Sequence, residues 1–472
     1  MPRPLSLSVL SVCILWGETL SGEETAYFRK EGGVASTSRA LPEDFDEGAR
    51  RLWRIVLASG HSTPTIVGDR IFLTTFADGE LATVALDKIT GEQLWRQVCP
   101  ATRLEEFHAT GSPAACTIAS DGQHLYVFFG SYGLLCYDLD GGLKWDKQLG
   151  PFQDEFEAAS SPVLADGKII LNEDHDVDSF LIAVDAATGK TVWKTDRPGF
   201  TRSYSTPVIW EVDGRKQVVV AGALTLMGYD LETGSIVWQV RGLSRMVEST
   251  PVIAGGHLIV ATWSPGGDES ERIAMEPFPE ALAAYDSDGD DEIGKDELPP
   301  GDVLTRFFRI DLNQNGGLDA DEWRKHADIF AAAQNVAIAI RPGGRGDITD
   351  THVAWIHRRG LPTVPSPLAY EGVLYMIKDG GIITALGAAT GELLKQGRSG
   401  VASNYFASPV AADGKVYLAS QTGVVTVLKA GPDWERVSEH DFGEKIMATP
   451  VVNDGRIILR TEAALYCFER AD

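Results

Sequence analysis

The chain has 472 residues, 44 % of them hydrophobic, and 49 glycines, enough for a large buried core with many tight turns. Its formal net charge of −25 argues against a nucleic-acid partner, whose phosphates it would repel, and favours a divalent cation. Five cysteines, none in a CxxC pair, exclude a disulfide scaffold and a zinc knuckle of the usual spacing.

Residues 1–22 read as a signal peptide: Arg3 precedes an apolar run from Leu5 to Gly17 that is too short to span a bilayer, and cleavage is expected near Ser21. Leu10-Ser11-Val12-Cys13 is a weak lipoprotein-type box, and Val12 is bulkier than the small residue needed before the cysteine, so Cys13 is read as part of a removed signal. No other segment is apolar and long enough for a transmembrane span. The segment Arg50 to Leu57, around Trp53, reads as a strand with no repeat of its own.

From there a repeat takes over. Ser-Pro or Thr-Pro pairs open an apolar strand at Pro64, Pro113, Pro162, Pro207, Pro251, Pro367, Pro409 and Pro450, with intervals of 49, 49, 45, 44, 116, 42 and 41 residues. Each unit continues through a turn such as Asp166-Gly167, a second strand, a third ending in Asp, then Thr-Gly and a Trp strand. Trp95, Trp193 and Trp238 each stand four residues beyond the glycine of Gly91, Gly189 and Gly234, so one side chain recurs at one depth on every outer strand. Asp caps the turn and Gly accepts positive φ. Four short antiparallel strands per unit of roughly 40–45 residues is the mark of a propeller blade. The last unit stops after Ala464 to Phe468 and lacks a Trp strand, which the segment around Trp53 supplies. The expected fold is therefore all-β: an eight-bladed β-propeller closed by an N-terminal strand, with a small α-helical pair inserted in the fifth blade.

The long interval holds the insert, assigned to residues 268–334, with propeller parts at 23–267 and 335–472. Between Asp268 and Asp328 lie 18 acidic and 6 basic residues, so this stretch carries −12, nearly half the total. Two twelve-residue loops, from Asp286 to Glu297 and from Asp311 to Glu322, place oxygen-bearing side chains at alternate positions. The EF-hand pattern needs this spacing, because Ca²⁺ takes six to eight hard oxygens that a tight loop can point inward. The candidate ligands are Asp286, Asp288, Asp290, Glu292 and Glu297 in the first loop, and Asp311, Asn313, Asn315, Gly317, Asp319 and Glu322 in the second, with Glu292 and Gly317 acting through backbone carbonyls. Ile293 and Leu318 at position 8 are the apolar pair expected to join the loops back to back. Asp291 replaces the usual glycine at position 6, which predicts a distorted or weaker first site. Helices are expected over Pro279 to Tyr285, Asp302 to Ile310 and Asp321 to Ala333. One or two Ca²⁺ ions are the expected cofactor, bound with the modest affinity of an exported module.

Elsewhere, Asn172, Asp174, His175, Asp176 and Asp178 crowd a polar turn that reads as a solvated inter-strand loop, with a metal site as the alternative. Arg202 and Tyr204 are placed either at a channel mouth or in a turn. Gly344-Arg345-Gly346-Asp347 contains an adhesion-like tripeptide that reads as chance. Cys136 and Cys467 occupy matching strand positions as buried hydrophobes, whereas Cys99 and Cys116 are either bridged or free.

The repeat Asp-x-x-Thr-Gly-x-x-x-Trp with Ser-Pro openings resembles the pyrroloquinoline quinone-like propeller repeat of quinoprotein alcohol dehydrogenases and of BamB-like assembly propellers, over roughly residues 50–267 and 335–472. Blade 6 departs from the pattern, with Gly387 for the Asp and Lys395 for the Trp, and blade 7 keeps only Trp434 loosely placed, so looser blade contacts are expected there. The resemblance implies one of two functions. The favoured one is an exported, monomeric, calcium-binding propeller in the periplasm or outside the cell, a non-catalytic scaffold that binds a protein or cell-surface polymer, including a calcium-regulated assembly or adhesion module. The alternative is a quinone-dependent oxidoreductase. No adjacent cysteines and no assignable cofactor constellation support the second, so no catalytic residue is assigned, no quinone is expected and the tryptophans are read as inter-blade packing.

Overall fold

In the computed structural model, which describes residues 26–45, 49–154 and 156–471, each repeat unit folds into a four-stranded antiparallel sheet, and eight such sheets follow one another along the chain. The expected signal peptide and Cys13 lie outside the described residues. Blade 1 runs Thr65–Val67, Arg70–Ala77, Glu80–Asp87 and Gln93–Val98, and the other blades repeat this order of a short first strand, two long buried strands and an outer strand. The middle strands are buried on both faces because each sheet packs between two neighbours, whereas the outer strand alternates exposed and half-buried residues. The described residues divide into apolar clusters that join strands of adjacent blades, such as Tyr126 and Phe128 of blade 2 with Leu171 and Ile182 of blade 3.

The ring closes as the unpaired last unit required. Ala49–Val56 pairs antiparallel with Ala464–Arg470, so blade 8 is built from both ends of the chain and Trp53 lies opposite Cys467. Residues 26–45 form a strap upstream of that strand. Ala26 bridges to Ser120 of blade 2 and Val34 to Ala411 of blade 7. Between them, the Arg29 guanidinium donates to the carbonyls of Pro409 at 3.1 Å and Pro367 at 2.6 Å.

The turn motif acquires its physical meaning at the blade junctions. Asp185 Oδ1 accepts the Thr188 N–H at 2.9 Å and its hydroxyl at 2.6 Å, which shapes a turn that presents Gly189 at φ +71°. The indole of Trp145, from the preceding blade, lies on that glycine and donates its N–H to Ala186 O at 2.9 Å. The same indole-to-carbonyl bond joins Trp53 to Lys88 (3.2 Å), Trp95 to Leu139 (2.9 Å), Trp193 to Leu231 (3.0 Å) and Trp355 to Ala388 (3.2 Å). Blade 4 differs: Trp238 turns inward to Gln217 Oε1 at 2.6 Å. Its outer edge is covered by Gly346–Asp347, paired parallel to Trp238 and Gln239, and Asp347 forms an ion pair with Arg241. The adhesion-like tripeptide is thus part of an edge-covering strand. In blade 6 the expected looser contact is replaced rather than lost, because the Lys395 ammonium donates to Trp434 O at 2.7 Å and lies 4.9 Å from its ring centre.

The Ser/Thr-Pro openings form an inner belt. Thr63 N–H donates to Thr117 Oγ1, Thr117 N–H to Ser161 Oγ and Ser161 N–H to Thr206 Oγ1, at 3.0–3.1 Å. Across the ring, Thr250 donates to Ser366, Ser366 to Ser408 and Ser408 to Thr449 at 2.9–3.0 Å. The hydroxyl residue therefore bonds blade to blade, while proline starts the strand where a free N–H has no ladder partner. In blade 2 the belt residue is Thr117, two residues before the strand Ala119–Ser120, and not Ser112 as the Ser-Pro pair suggested. All four described cysteines are free and buried, with Cys99 and Cys116 in different apolar clusters, so they form no bridge.

A Cβ at Gly189 would lie 2.7 Å from Trp145 Cε3. Gly189→Ala is expected to destabilise by more than the roughly 1–2 kcal/mol that left-handed backbone costs an L-residue, and by only about that amount in a Trp145→Ala background. Urea unfolding of the four members of this cycle measures the difference.

Candidate functional site

The insert leaves blade 5 after His257–Thr262 and returns at Val336–Ile340, which pair directly, so the sheet stays intact around it. It folds as a helix–loop–helix pair: α1 (Phe278–Tyr285), α2 (Asp302–Thr305), α3 (Phe307–Ile310) and α4 (Ala320–Ala332). The single middle helix expected from sequence is broken at Arg306 into two turns. Ile293 and Leu318 pair antiparallel between the loops and are fully buried with Ala281, Phe307, Ile310 and Trp323.

Both loops bend in the same way. Positions 4 and 6 are left-handed in each, at Gly289 (φ +79°) and Asp291 (φ +67°) in the first loop and at Gln314 (φ +57°) and Gly316 (φ +95°) in the second. Asp291 thus adopts the bend that glycine usually makes, and the strain moves to Gln314 in the second loop. Asp286, Asp288 and Asp290 bring carboxylate oxygens within 4.8 Å of one another, and this crowding, chiefly by Asp290, raises the Asp288 carboxyl. Glu297 folds back to accept the N–H groups of Ser287 and Gly294, both at 2.7 Å. Glu322 does the same for Leu312 and Asn313, at 2.8 and 3.0 Å. Asp311 orients the second loop through Asn315 and Gly316, and Asp319 caps α4 by accepting from Asp321 and Glu322. Asn313 and Asn315 share that loop with Gly317, while the Glu292 carboxylate leaves its own loop and accepts from Asn315 Nδ2 at 3.2 Å. The first loop is exposed; the second is turned toward the ring, with Asp311 and Glu322 buried. Leu312 O accepts from Gln153, which ties the second loop to the segment entering blade 3.

Beside that contact lies the polar turn of blade 3, and it is not a solvated loop. Asn172, Glu173, Asp174, His175 and Asp176 are all at most 2 % exposed, while Asp178 at the end of the turn faces solvent. Arg197 and Asp174 form a two-pronged pair at 2.6 and 2.8 Å, and Arg202 pairs with Asp176 in the same way. The His175 ring stacks on Phe152 at 3.9 Å, with Nε2 3.3 Å from Glu173 and Nδ1 3.9 Å from Asp154. Tyr204 donates its hydroxyl to Asp154 at 2.5 Å. Glu105, Asp154 and Glu157 had no signal in the sequence: single acids in irregular segments look like surface, and only the fold buries them.

Within the hydroxyl belt lies a central cavity of about 350 Å³. Its walls include belt hydroxyls from blades 1 to 8, with Glu157, Tyr204 and Glu248, and Phe28 of the strap contributes to it. Tyr204 thus reaches the channel, while Arg202 stays with Asp176.

The family profile described as outer membrane protein assembly factor BamB matches residues 15–172, 177–288 and 330–472, and its second gap falls on the insert. The outer membrane protein assembly factor BamB of Yersinia pestis is 25 % identical over 272 residues, 53 % of this chain and 61 % of that protein. That of Burkholderia pseudomallei is 29 % identical over 210 residues, 43 % of this chain and 49 % of that protein, so the matches span less than two thirds of either relative. Among solved structures, BamB from Moraxella catarrhalis superposes with a TM-score of 0.56 at 12 % identity, covering 89 % of this chain and 99 % of that one. A europium-containing methanol dehydrogenase gives 0.53 at 10 % identity, covering 92 % and 96 %. At such identity these two likenesses speak of the fold. Among the described residues, no helix is long and apolar enough to cross a membrane.

The buried acids carry a pH signature. Burial, reinforced by Asp176, pushes the Asp154 carboxyl up to about 8, and burial raises Glu105 to about 7 and Glu157 to about 9. His175 is lowered to about 3 by burial. Folded Asp154 keeps a proton that the unfolded chain releases near 3.8, so its contribution is full at low pH and is lost as pH rises toward 8. The His175 contribution has the opposite sign but is complete above its unfolded value of 6.5. Between pH 6.5 and 8, Asp154→Asn, which keeps an acceptor for Tyr204, is therefore expected to lose less stability than the wild type, by on the order of 1–2 kcal/mol. Denaturation midpoints at the two pH values measure the difference.

Proposed function

The chain belongs to the family described as outer membrane protein assembly factor BamB, and from that premise we propose that it is an exported, monomeric propeller that serves in the cell envelope as a non-catalytic scaffold for a protein or surface polymer, with calcium held in its insert. The observation that carries this reading is the pair of twelve-residue loops joined at Ile293 and Leu318, each with a carboxylate at position 1 and a glutamate at position 12 folded back on the loop. In the first loop Asp286, Asp288 and Asp290 would supply one oxygen each, Glu292 its carbonyl and Glu297 both oxygens. In the second, Asp311, Asn313, Asn315 and Glu322 would coordinate through side chains, Gly317 through its carbonyl, and Asp319 would act from position 9, through water where its role as helix cap holds it. Calcium would relieve the repulsion among the first three carboxylates and tie the back-folded glutamates to an ion instead of to backbone alone.

The scaffold reading rests on family membership and on the propeller's many loops, which can carry a partner-specific surface on a rigid ring. The oxidoreductase reading fares worse. Pyrroloquinoline quinone is a tricarboxylic acid, and the central cavity presents Glu157 and Glu248 and no lysine or arginine among its lining residues.

Calcium titration by calorimetry is expected to show up to two sites with Kd on the order of 10⁻⁴–10⁻³ M, a raised melting temperature, and loss of one site each in Glu297→Gln and Glu322→Gln. Absence of heat and of any thermal shift at 10 mM-scale calcium would overturn the metal assignment. Capture from envelope extracts, compared with and without chelator, tests the scaffold.

A further inference from the structure

The central cavity holds carboxyl groups that the ring does not need for its own assembly. Six described belt junctions are closed by hydroxyl and backbone groups, with no carboxylate involved. Yet Glu157 and Glu248 line the space those junctions enclose. Glu248 has no hydrogen-bond or ion-pair partner among the described residues. Its acidic neighbour Asp379 is already engaged by the Tyr405 N–H at 2.9 Å and the Thr363 hydroxyl at 3.3 Å. Both Glu157 oxygens are buried with no side-chain partner, only the Ser112 backbone N–H lying near them, and the residue sits at φ +61°, a strained position for a non-glycine. A carboxyl group held buried, without a charged partner and on strained backbone, is the kind of feature that concentrates at functional sites.

The rest of the wall fixes the class of ligand. Phe28, Phe156 and Phe406 supply aromatic surface, and the belt hydroxyls of residues such as Thr206 and Thr250 supply acceptors. The strap that contributes Phe28 is anchored by Arg29 to the carbonyls of Pro367 and Pro409, so that guanidinium is spent on backbone and does not pair with the acids. A bare metal ion has no ready coordination sphere here: among the described residues, the one trio of metal-ligating side chains within reach of one another lies in the insert. An ammonium group has three donors for a carboxylate and two hydroxyls, and aromatic faces favour its charge. We propose that the central cavity binds an organic monocation, a primary ammonium carried on a short apolar body, with Glu248 as its counter-ion. The cavity volume is within the range of small-molecule sites. The pocket stands whether or not the insert holds calcium, so its test is separate from that of the scaffold.

Titration of the full-length protein with n-hexylammonium, hexan-1-ol and hexanoate compares a cation, a neutral molecule and an anion of one shape. The ammonium is expected to bind at least tenfold more tightly than the other two, and Glu248→Gln to remove that advantage without weakening hexan-1-ol. Its affinity is also expected to rise from pH 6 to 8.5. Burial and Asp379 hold the Glu248 carboxyl up to about 8 against the opposing pull of Arg245, and the ligand favours the ionised form. His61, in the same wall, is held to about 4 by burial and stays neutral over that range. Equal binding of the three compounds, preference for hexanoate, no binding at all, or an unchanged preference in Glu248→Gln would each overturn the proposal. If that variant fails to fold, the wild-type order and its pH dependence decide.

Discussion

The angle between one blade and the next is set by an indole lying on a glycine. A sheet buried on both faces has apolar surface in excess, and such surface alone does not choose a register between neighbours. The tryptophan does, because its flat face needs a residue without a side chain beneath it and its N–H needs a carbonyl at one place. Trp145 finds both at Gly189 and Ala186, and Trp53, Trp95, Trp193 and Trp355 repeat the solution. The belt of hydroxyl-to-amide bonds around the channel does the same work at the inner radius. With both radii fixed, the cavity, the buried ion pairs and the insert take their places as consequences.

Where the tryptophan is missing, the ring finds another bond instead of opening. Lys395 occupies the tryptophan position of blade 6 and reaches Trp434 by hydrogen bond and cation–π contact. Trp238 has no glycine turn to rest on, since in blade 5 a longer loop, Arg341 to His352, joins the third strand to the fourth, and it packs edge-on against Trp210 of its own blade. A short parallel strand from the far side of the insert then covers the edge it leaves. These exchanges keep the geometry while changing the chemistry, which is why the repeat was readable even where its consensus failed.

The fold was legible because its signals are local and recur: a capped turn, a fixed offset to tryptophan, a missing last strand. The insert was legible for the same reason, down to the pairing of Ile293 with Leu318. Two readings failed where local pattern and spatial partner part company. Ser112-Pro113 has the right dipeptide, yet Thr117-Ile118 has the right place relative to the strand. The acidic turn at 172–178 looked solvated because the cations that neutralise it, Arg197 and Arg202, come from the next loop. Glu157 and Glu248 were invisible for a deeper reason, since a cavity belongs to the closed ring and to no single repeat.

The strap and the first strand give the ring a property that chain order would not suggest. Blade 5 is interrupted by some seventy residues of insert, so the backbone there is the molecule's most dispensable covalent link. Severing it would leave one fragment holding blades 1 to 4 and another holding blades 6 to 8, each with half of blade 5. They would still be laced through His257–Thr262 against Val336–Ile340, through Trp238–Gln239 against Gly346–Asp347 and through Ala49–Val56 against Ala464–Arg470, with the strap bridging Val34 to Ala411. Circular connectivity of this kind makes the assembly indifferent to a nick and leaves the molecule's integrity in the hands of its sheet pairing.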